Sequence, residues 1–171
     1  MKAKFYQSGR SMIEMLGVLA IVGVLSAGGI AGYSMAIESY KTQALIEKVH
    51  LISVTARNLC RGNYAGISAS MFTEMGKLKE EDFKNPFGGN LTIAPDDVDS
   101  GYFVIDTGYN TPPNACSDIV LADWGAESVF AGVYVDWTIS FSYSTNTYPA
   151  SVASTASACK SGNRRMGWKF K

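Results

Sequence analysis

Hydrophobic and polar positions divide this chain into two unlike stretches. Residues 15–37 carry no charged side chain, from Met15 to Ile37. A run of about 23 residues rises roughly 35 Å as a helix, enough to cross a bilayer core of about 30 Å. Past it the apolar positions fall at 45, 49, 52, 56 and 59 with polar residues between them, the spacing of an amphipathic helix. No proline precedes Pro86, so nothing breaks the run. The pattern predicts one helix from about Ser11 to about Cys60, closed by the glycine-punctuated Arg61-Gly62-Asn63-Tyr64-Ala65-Gly66.

Residues 61–171 then read as a head. A short helix is expected within 68–77, beginning near Ala69 or Ser70, and a turn at Asn85-Pro86-Phe87-Gly88-Gly89-Asn90. Strands are expected at 91–94, 102–106, 129–139, 139–143 and 166–170. In the third, Val133, Val135, Trp137 and Ile139 alternate with Tyr134, Asp136 and Thr138. The Ser-, Thr- and Ala-rich stretch 144–157 reads as a polar surface connection. The class is α+β, a long N-terminal helix and an antiparallel sheet.

Composition narrows the function. The 171 residues hold 15 basic and 15 acidic side chains, so the formal net charge is zero and bulk attraction to nucleic acid is not expected. The aromatic share of 12% suits a packed head and argues against disorder. With one histidine, His50, and three scattered cysteines, neither a histidine metal site nor a catalytic dyad is expected. His50 reads as a polar-face or interface residue. Asp96-Asp97-Val98-Asp99 lacks the spacing and glutamate of a calcium loop and reads as a solvated turn. Trp124, Trp137 and Trp168 read as core, and Lys160, Arg164, Arg165, Lys169 and Lys171 as a salt-balanced face. No enzyme activity, cofactor or metal is expected.

The N-terminal segment carries the informative chemistry. Lys2, Lys4 and Arg10 precede the apolar run with no acid before Glu14, so the basic flank is expected to stay cytoplasmic and the chain beyond Tyr40 to lie outside. A buried soluble helix and a cleaved secretory signal ending near Ser26-Ala27-Gly28-Gly29 are the rival readings. Glu14, at the start of the apolar run, needs a separate explanation. A carboxylate in hydrocarbon is costly unless it stays at the headgroups or meets a cation, and another copy of the chain can supply one. Gly28 and Gly32 form a small-xxx-small pair suited to close helix contact.

Gly9-Arg10-Ser11-Met12-Ile13-Glu14-Met15-Leu16, followed by the long apolar run, resembles the class III signal of type IV prepilins. The resemblance implies a leader of residues 1–9, cut by a prepilin peptidase after Gly9, with N-methylation of the new terminus at Arg10. Arg10 stands where family members usually carry an apolar residue. It also implies that the freed amine of Arg10 neutralises Glu14 of the same or a neighbouring subunit during assembly. Residues 10–60 would be the N-terminal helix, with 15–37 anchoring the precursor and later forming the filament core.

The head narrows the resemblance to type IVb pilins, including those of conjugative thin pili. Tyr64-Ala65-Gly66, the short helix and Asn85-Pro86-Phe87-Gly88-Gly89 occur in the order that those pilins show. Three cysteine pairings are open from the residues alone. Of these we favour Cys116–Cys159, because Cys60 closes a helix whose apolar face it is expected to join as a free thiol. The resemblance implies the same bridge, with Cys116 on a later helix and Cys159 before the last strand. Such a bridge closes a loop of about 44 residues, worth roughly 4 kcal/mol by loop entropy. The implied function is a structural subunit of a type IV pilus. Its partners are identical copies, the prepilin peptidase, inner-membrane assembly machinery and the membrane before assembly. Its locations are the inner membrane and then the extracellular pilus. A type II secretion pseudopilin and a membrane-tethered binding domain are the alternatives.

Overall fold

The computed structural model describes residues 12–160 and 162–171. The first element is a single helix, α1 (Met12–Cys60). The chain divides into two compact units within that helix, one ending at Glu38 and the other spanning Ser39–Lys171. In the second unit α1 buries Thr42, Leu45, Val49, Ile52, Ser53 and Ala56. Steps of three and four residues place these side chains on one face. Beyond Cys60 the chain leaves the helix with Arg61 and Gly62 at φ 48° and 89°. The left-handed second position is where a glycine costs least.

A one-and-a-half-turn helix follows, α2 (Ala69–Glu74), started by the Ser68 hydroxyl, which accepts the Met71 N–H at 3.3 Å. Phe72 anchors it in the core. A 3-10 turn (Glu80–Phe83) lies against α1, where the Lys48 ammonium donates to the carbonyls of Glu81 and Lys84. The Asn85–Asn90 turn is organised by Asn85, whose Oδ1 accepts the Phe87 N–H and whose Nδ2 donates to the Thr107 carbonyl.

The sheet has five strands: β1 (Thr92–Pro95), β2 (Phe103–Asp106), β3 (Phe130–Val135), β4 (Ile139–Ser142) and β5 (Met166–Phe170), in spatial order β1-β2-β5-β3-β4. Every neighbouring pair is antiparallel. The last strand therefore sits in the middle, paired to β2 on one side and β3 on the other. At the β1 edge, the Asp96 N–H donates to the Tyr102 carbonyl at 3.0 Å. Alternation along the ladder then turns position 95 outward, so Pro95 removes a donor from the open edge and not from the ladder. Two helices flank the β3–β4 hairpin in sequence: α3 (Pro113–Leu121) before it and α4 (Val152–Ala158) after it.

Three expectations need correction. The strand expected over 129–139 ends at Val135. Asp136 and Trp137 take φ 52° and 57°, and the Thr138 N–H returns to the Val135 carbonyl, the pattern of a type I′ turn. The alternation therefore crossed a hairpin. The stretch 144–157 is not a plain connection, because it ends in α4. There the Ser151 hydroxyl accepts the Ser154 N–H, and Thr155 and Ala158 turn inward. Trp137 is not core: it is 39% exposed, whereas Trp124 and Trp168 are buried.

The core joins the α1 stripe to the inner sheet face through a continuous run of rings. Tyr64 meets Phe103 at 4.6 Å, Phe103 meets Phe170 at 5.5 Å, Phe170 meets Phe130 at 5.3 Å, and Trp124 meets Trp168 at 5.3 Å. Trp124 is buried with its polar edge satisfied, its Nε1–H donating to the Ile119 carbonyl at 2.8 Å. Cys116 on α3 and Cys159 after α4 form a disulfide with Cα atoms 5.7 Å apart. The bridge ties both helices together just before β5 begins.

Candidate functional site

The first half of α1 offers an apolar surface that the described residues of its own chain leave exposed. Residues 12–36 are exposed throughout, among them Val18 (56%), Leu19 (63%), Val24 (74%) and Leu25 (69%). The helix is long and apolar enough to cross a membrane, by length and composition. A Cβ added at Gly17, Gly23, Gly28, Gly29 or Gly32 would meet nothing within 4 Å. Gly28 and Gly32 thus face open space, where a second helix can approach the backbone closely. Glu14 lies in the first turn of α1 and is exposed. A carboxylate there is favoured by the positive end of the helix dipole. Gly9 and Arg10, expected to flank the cleavage point, lie outside the described residues, and so does the leader.

Of the five basic residues read as a salt-balanced face, Arg164 and Arg165 before β5 and Lys169 within it are matched by acids. The Arg164 guanidinium meets Asp136 at 2.8 Å, Arg165 meets Asp106 at 2.6 Å and Lys169 meets Asp96 at 2.9 Å. Asp106 also accepts the Trp137 Nε1–H at 2.9 Å. These bonds lay the Trp137 indole over Gly167, where a Cβ would come within 2.7 Å of the ring. Hydrogen bonding to the Asp106 carboxylate pushes the Arg165 guanidinium further above its ordinary value, against a smaller opposing effect of burial.

The remaining residues singled out in the sequence serve the head. His50 is half-buried and stacks on Trp124 with ring centroids 4.9 Å apart. Cys60 is a free, half-buried thiol, and burial pushes its pKa up, away from thiolate reactivity. Asp96 organises its loop by accepting the Val98 and Asp99 N–H groups at 3.2 and 3.1 Å. Among the described residues no group of three or more His, Cys, Asp or Glu side chains is placed to hold a metal.

One site escaped the sequence reading. Val54, Arg57, Asn58 and Arg61, together with Gly62, Tyr64 and Lys171, line a cavity of about 330 Å³ at the C-terminal end of α1. Its signal was present as an i, i+3, i+4, i+7 stripe carrying two arginines.

No protein-family model matches the chain. Among curated proteins it is similar to the "Major structural subunit of bundle-forming pilus" of Escherichia coli O127:H6. That match is 26% identical over 173 residues, covering 92% of this chain and 90% of the relative. It is also similar to the "Toxin coregulated pilin" of Vibrio cholerae, at 33% identity over 98 residues, or 51% of this chain and 44% of that protein. Among solved structures, TcpA, a type IV pilin from Vibrio cholerae El Tor, superposes with a TM-score of 0.59 at 16% identity, over 77% of this chain and 99% of that one. The fold is therefore that of a type IV pilin. The sequence relatives beside it support a type IVb-like pilin.

Proposed function

We propose that this chain is a structural subunit that polymerises into a type IVb-like pilus. The observation that carries the reading is the division of α1. Its first half exposes an apolar surface on all sides, while its second half is built into the core of the head. Relatives that match over about nine-tenths of both chains are named as major structural subunits of a pilus. Before assembly, residues 15–37 anchor the precursor in the inner membrane with the basic N-terminus inside. A prepilin peptidase cuts between Gly9 and Arg10, and the new amine of Arg10 is methylated. Inner-membrane machinery then moves the subunit into a homopolymer outside the cell. In the filament the Arg10 amine pairs with Glu14 of its own or a neighbouring copy, and Gly28 and Gly32 allow close helix contact.

Glu14→Ala tests this reading, with sheared surface filament and membrane-held subunit measured separately. Filament yield should fall about tenfold or more, since removing one partner of a desolvated charge pair leaves the other unpaired. Subunit level and the N-terminus at Arg10 should stay unchanged. A mature chain that begins at or beyond Gly28 would replace the pilin reading with an ordinary secretory one.

A further inference from the structure

The cavity at the end of α1 differs from the basic cluster around β5. Arg164, Arg165 and Lys169 each hold a carboxylate within 3 Å. Arg57 and Arg61 also point from the head's surface, yet among the described residues neither has a carboxylate within ion-pair distance. They sit one turn apart on the stripe that Val54 begins, and Val54 is 50% exposed. Lys171 also lines it, with its ammonium over the Tyr102 ring at 5.8 Å, so the cavity's charge comes from the two arginines. Two guanidinium groups at i and i+4 repel one another, so an anion between them relieves a cost already present in the folded head. The cavity is therefore cationic with an apolar floor.

A surface of the opposite character stands on the β1–β2 loop. Asp97 and Asp99 are exposed on either side of Val98, itself 93% exposed. This tip is held in shape. Asp96 accepts the Val98 and Asp99 N–H groups, the Asp99 Oδ1 accepts the Gly101 N–H at 2.8 Å, and the Ser100 carbonyl accepts the Tyr64 N–H at 3.0 Å. Neither Asp97 nor any other tip residue lines the cavity of its own chain. A preorganised loop loses little entropy on docking.

We infer that the Asp97-Val98-Asp99 tip of one copy docks into the Arg57–Arg61 cavity of a second copy. Carboxylates meet the guanidinium pair, and Val98 covers Val54. The inference rests on the pilus reading. Because the tip and the cavity are different surfaces, one copy can seat its tip in a second copy and take the tip of a third, a heterologous contact that propagates as an open polymer requires. The same match of charges disfavours wrong registers, in which tip meets tip or cavity meets cavity.

Charge exchange in the full chain, in cells that assemble the filament, tests the pairing. Arg57→Glu with Arg61→Glu should cut surface filament yield about tenfold at unchanged subunit level, and Asp97→Lys with Asp99→Lys should do the same. All four together should restore yield to within about threefold of the original, since opposite charges again meet. Unaltered yield from either pair, or no restoration by the four, overturns the inference while leaving the pilus reading intact. If the unaltered chain makes no filament, it is the pilus reading that fails. Cross-linking gives an answer independent of yield. In a Cys60→Ser background, mixed cells producing Val54→Cys chains and Val98→Cys chains should give a disulfide-linked dimer that neither chain gives alone. Absence of that dimer from intact filaments also overturns the contact.

Discussion

The two halves of α1 are one helix and two kinds of surface. In the first half, apolar side chains point in every direction, and even Ile21 and Val22, one residue apart, are 63% and 51% exposed. In the second half Leu45, Val49, Ile52 and Ala56 are fully buried, while Leu51 and Val54 between them are 46% and 50% exposed. The second half thus sorts its residues by face, because the sheet covers only one side of it. The first half has no such sorting, so no single neighbour of its own chain could cover it. A helix that is apolar all round needs an apolar medium or several copies of itself. Stability of the head and readiness to assemble therefore reside in different parts of one continuous element.

Paired substitutions can break that comparison. Ile52→Ala removes a fully buried side chain, and the head should lose about 2–5 kcal/mol, as large-to-small changes in a packed core do. Leu25→Ala, in the first half, should leave head stability unchanged. Tryptophan fluorescence during denaturant unfolding of the full chain in detergent separates the two, because all three tryptophans lie in the head, at 124, 137 and 168. Equal losses from the two variants would mean that the first half contributes to the head's stability.

A smaller effect is expected on the outer sheet face. Gly167 is the floor beneath the Trp137 indole, and a methyl group there would sit 2.7 Å from the ring. Gly167→Ala should cost about 1–3 kcal/mol, the usual range for overpacking. The displaced indole should also lose its bond to Asp106, seen as a red shift of tryptophan emission. An unshifted spectrum with full stability would show that the hairpin turn gives way freely.

What the sequence made legible was whatever a single period could carry. The uncharged run, the amphipathic stripe and the last strand each obey one rule over their whole length, and α1 and β5 were placed within a residue. The β3–β4 hairpin was hidden because Trp137 continues the alternation through a turn that contains no glycine. Its positive φ values are held by tertiary bonds instead: Asp136 accepts the Arg165 N–H at 2.9 Å and pairs with Arg164. Local propensity does not record partners about 28 residues away, and this kind of tertiary support overrides it. The α4 helix was hidden for a related reason. Serine and threonine are weak helix formers, and it is the Ser151 cap and the neighbouring disulfide that hold this short segment. At the candidate site, Glu14 and the glycines were legible as motif. The Arg57–Arg61 cavity was not, because it needs Tyr64 and Lys171 brought beside the helix by the fold.

The smallest effect expected is an acid pH dependence that the head has and residues 15–37 of α1 lack. Burial pushes the Asp96 carboxyl up, but hydrogen bonding and charge from Lys169, with the Val98 and Asp99 N–H groups, outweigh it and hold the pKa below its ordinary value. A depressed carboxyl pKa stabilises the folded head above the unfolded value of about 3.9, and that contribution is lost as pH falls through the folded value. No Asp, Glu or His lies between Met15 and Ile37, so that stretch adds no slope in this acid range. Asp96→Asn keeps an oxygen for the loop N–H groups and removes the charge that faces Lys169. The variant should therefore be less stable at pH 7, and its urea midpoint should fall less than that of the unaltered chain between about pH 4 and pH 2.5. Lys169→Met should flatten the same interval by removing the cation and leaving the carboxyl. Parallel midpoint curves for all three chains would show that the Asp96–Lys169 pair contributes nothing to the head's acid sensitivity. The loop's shape would then rest on its backbone hydrogen bonds alone.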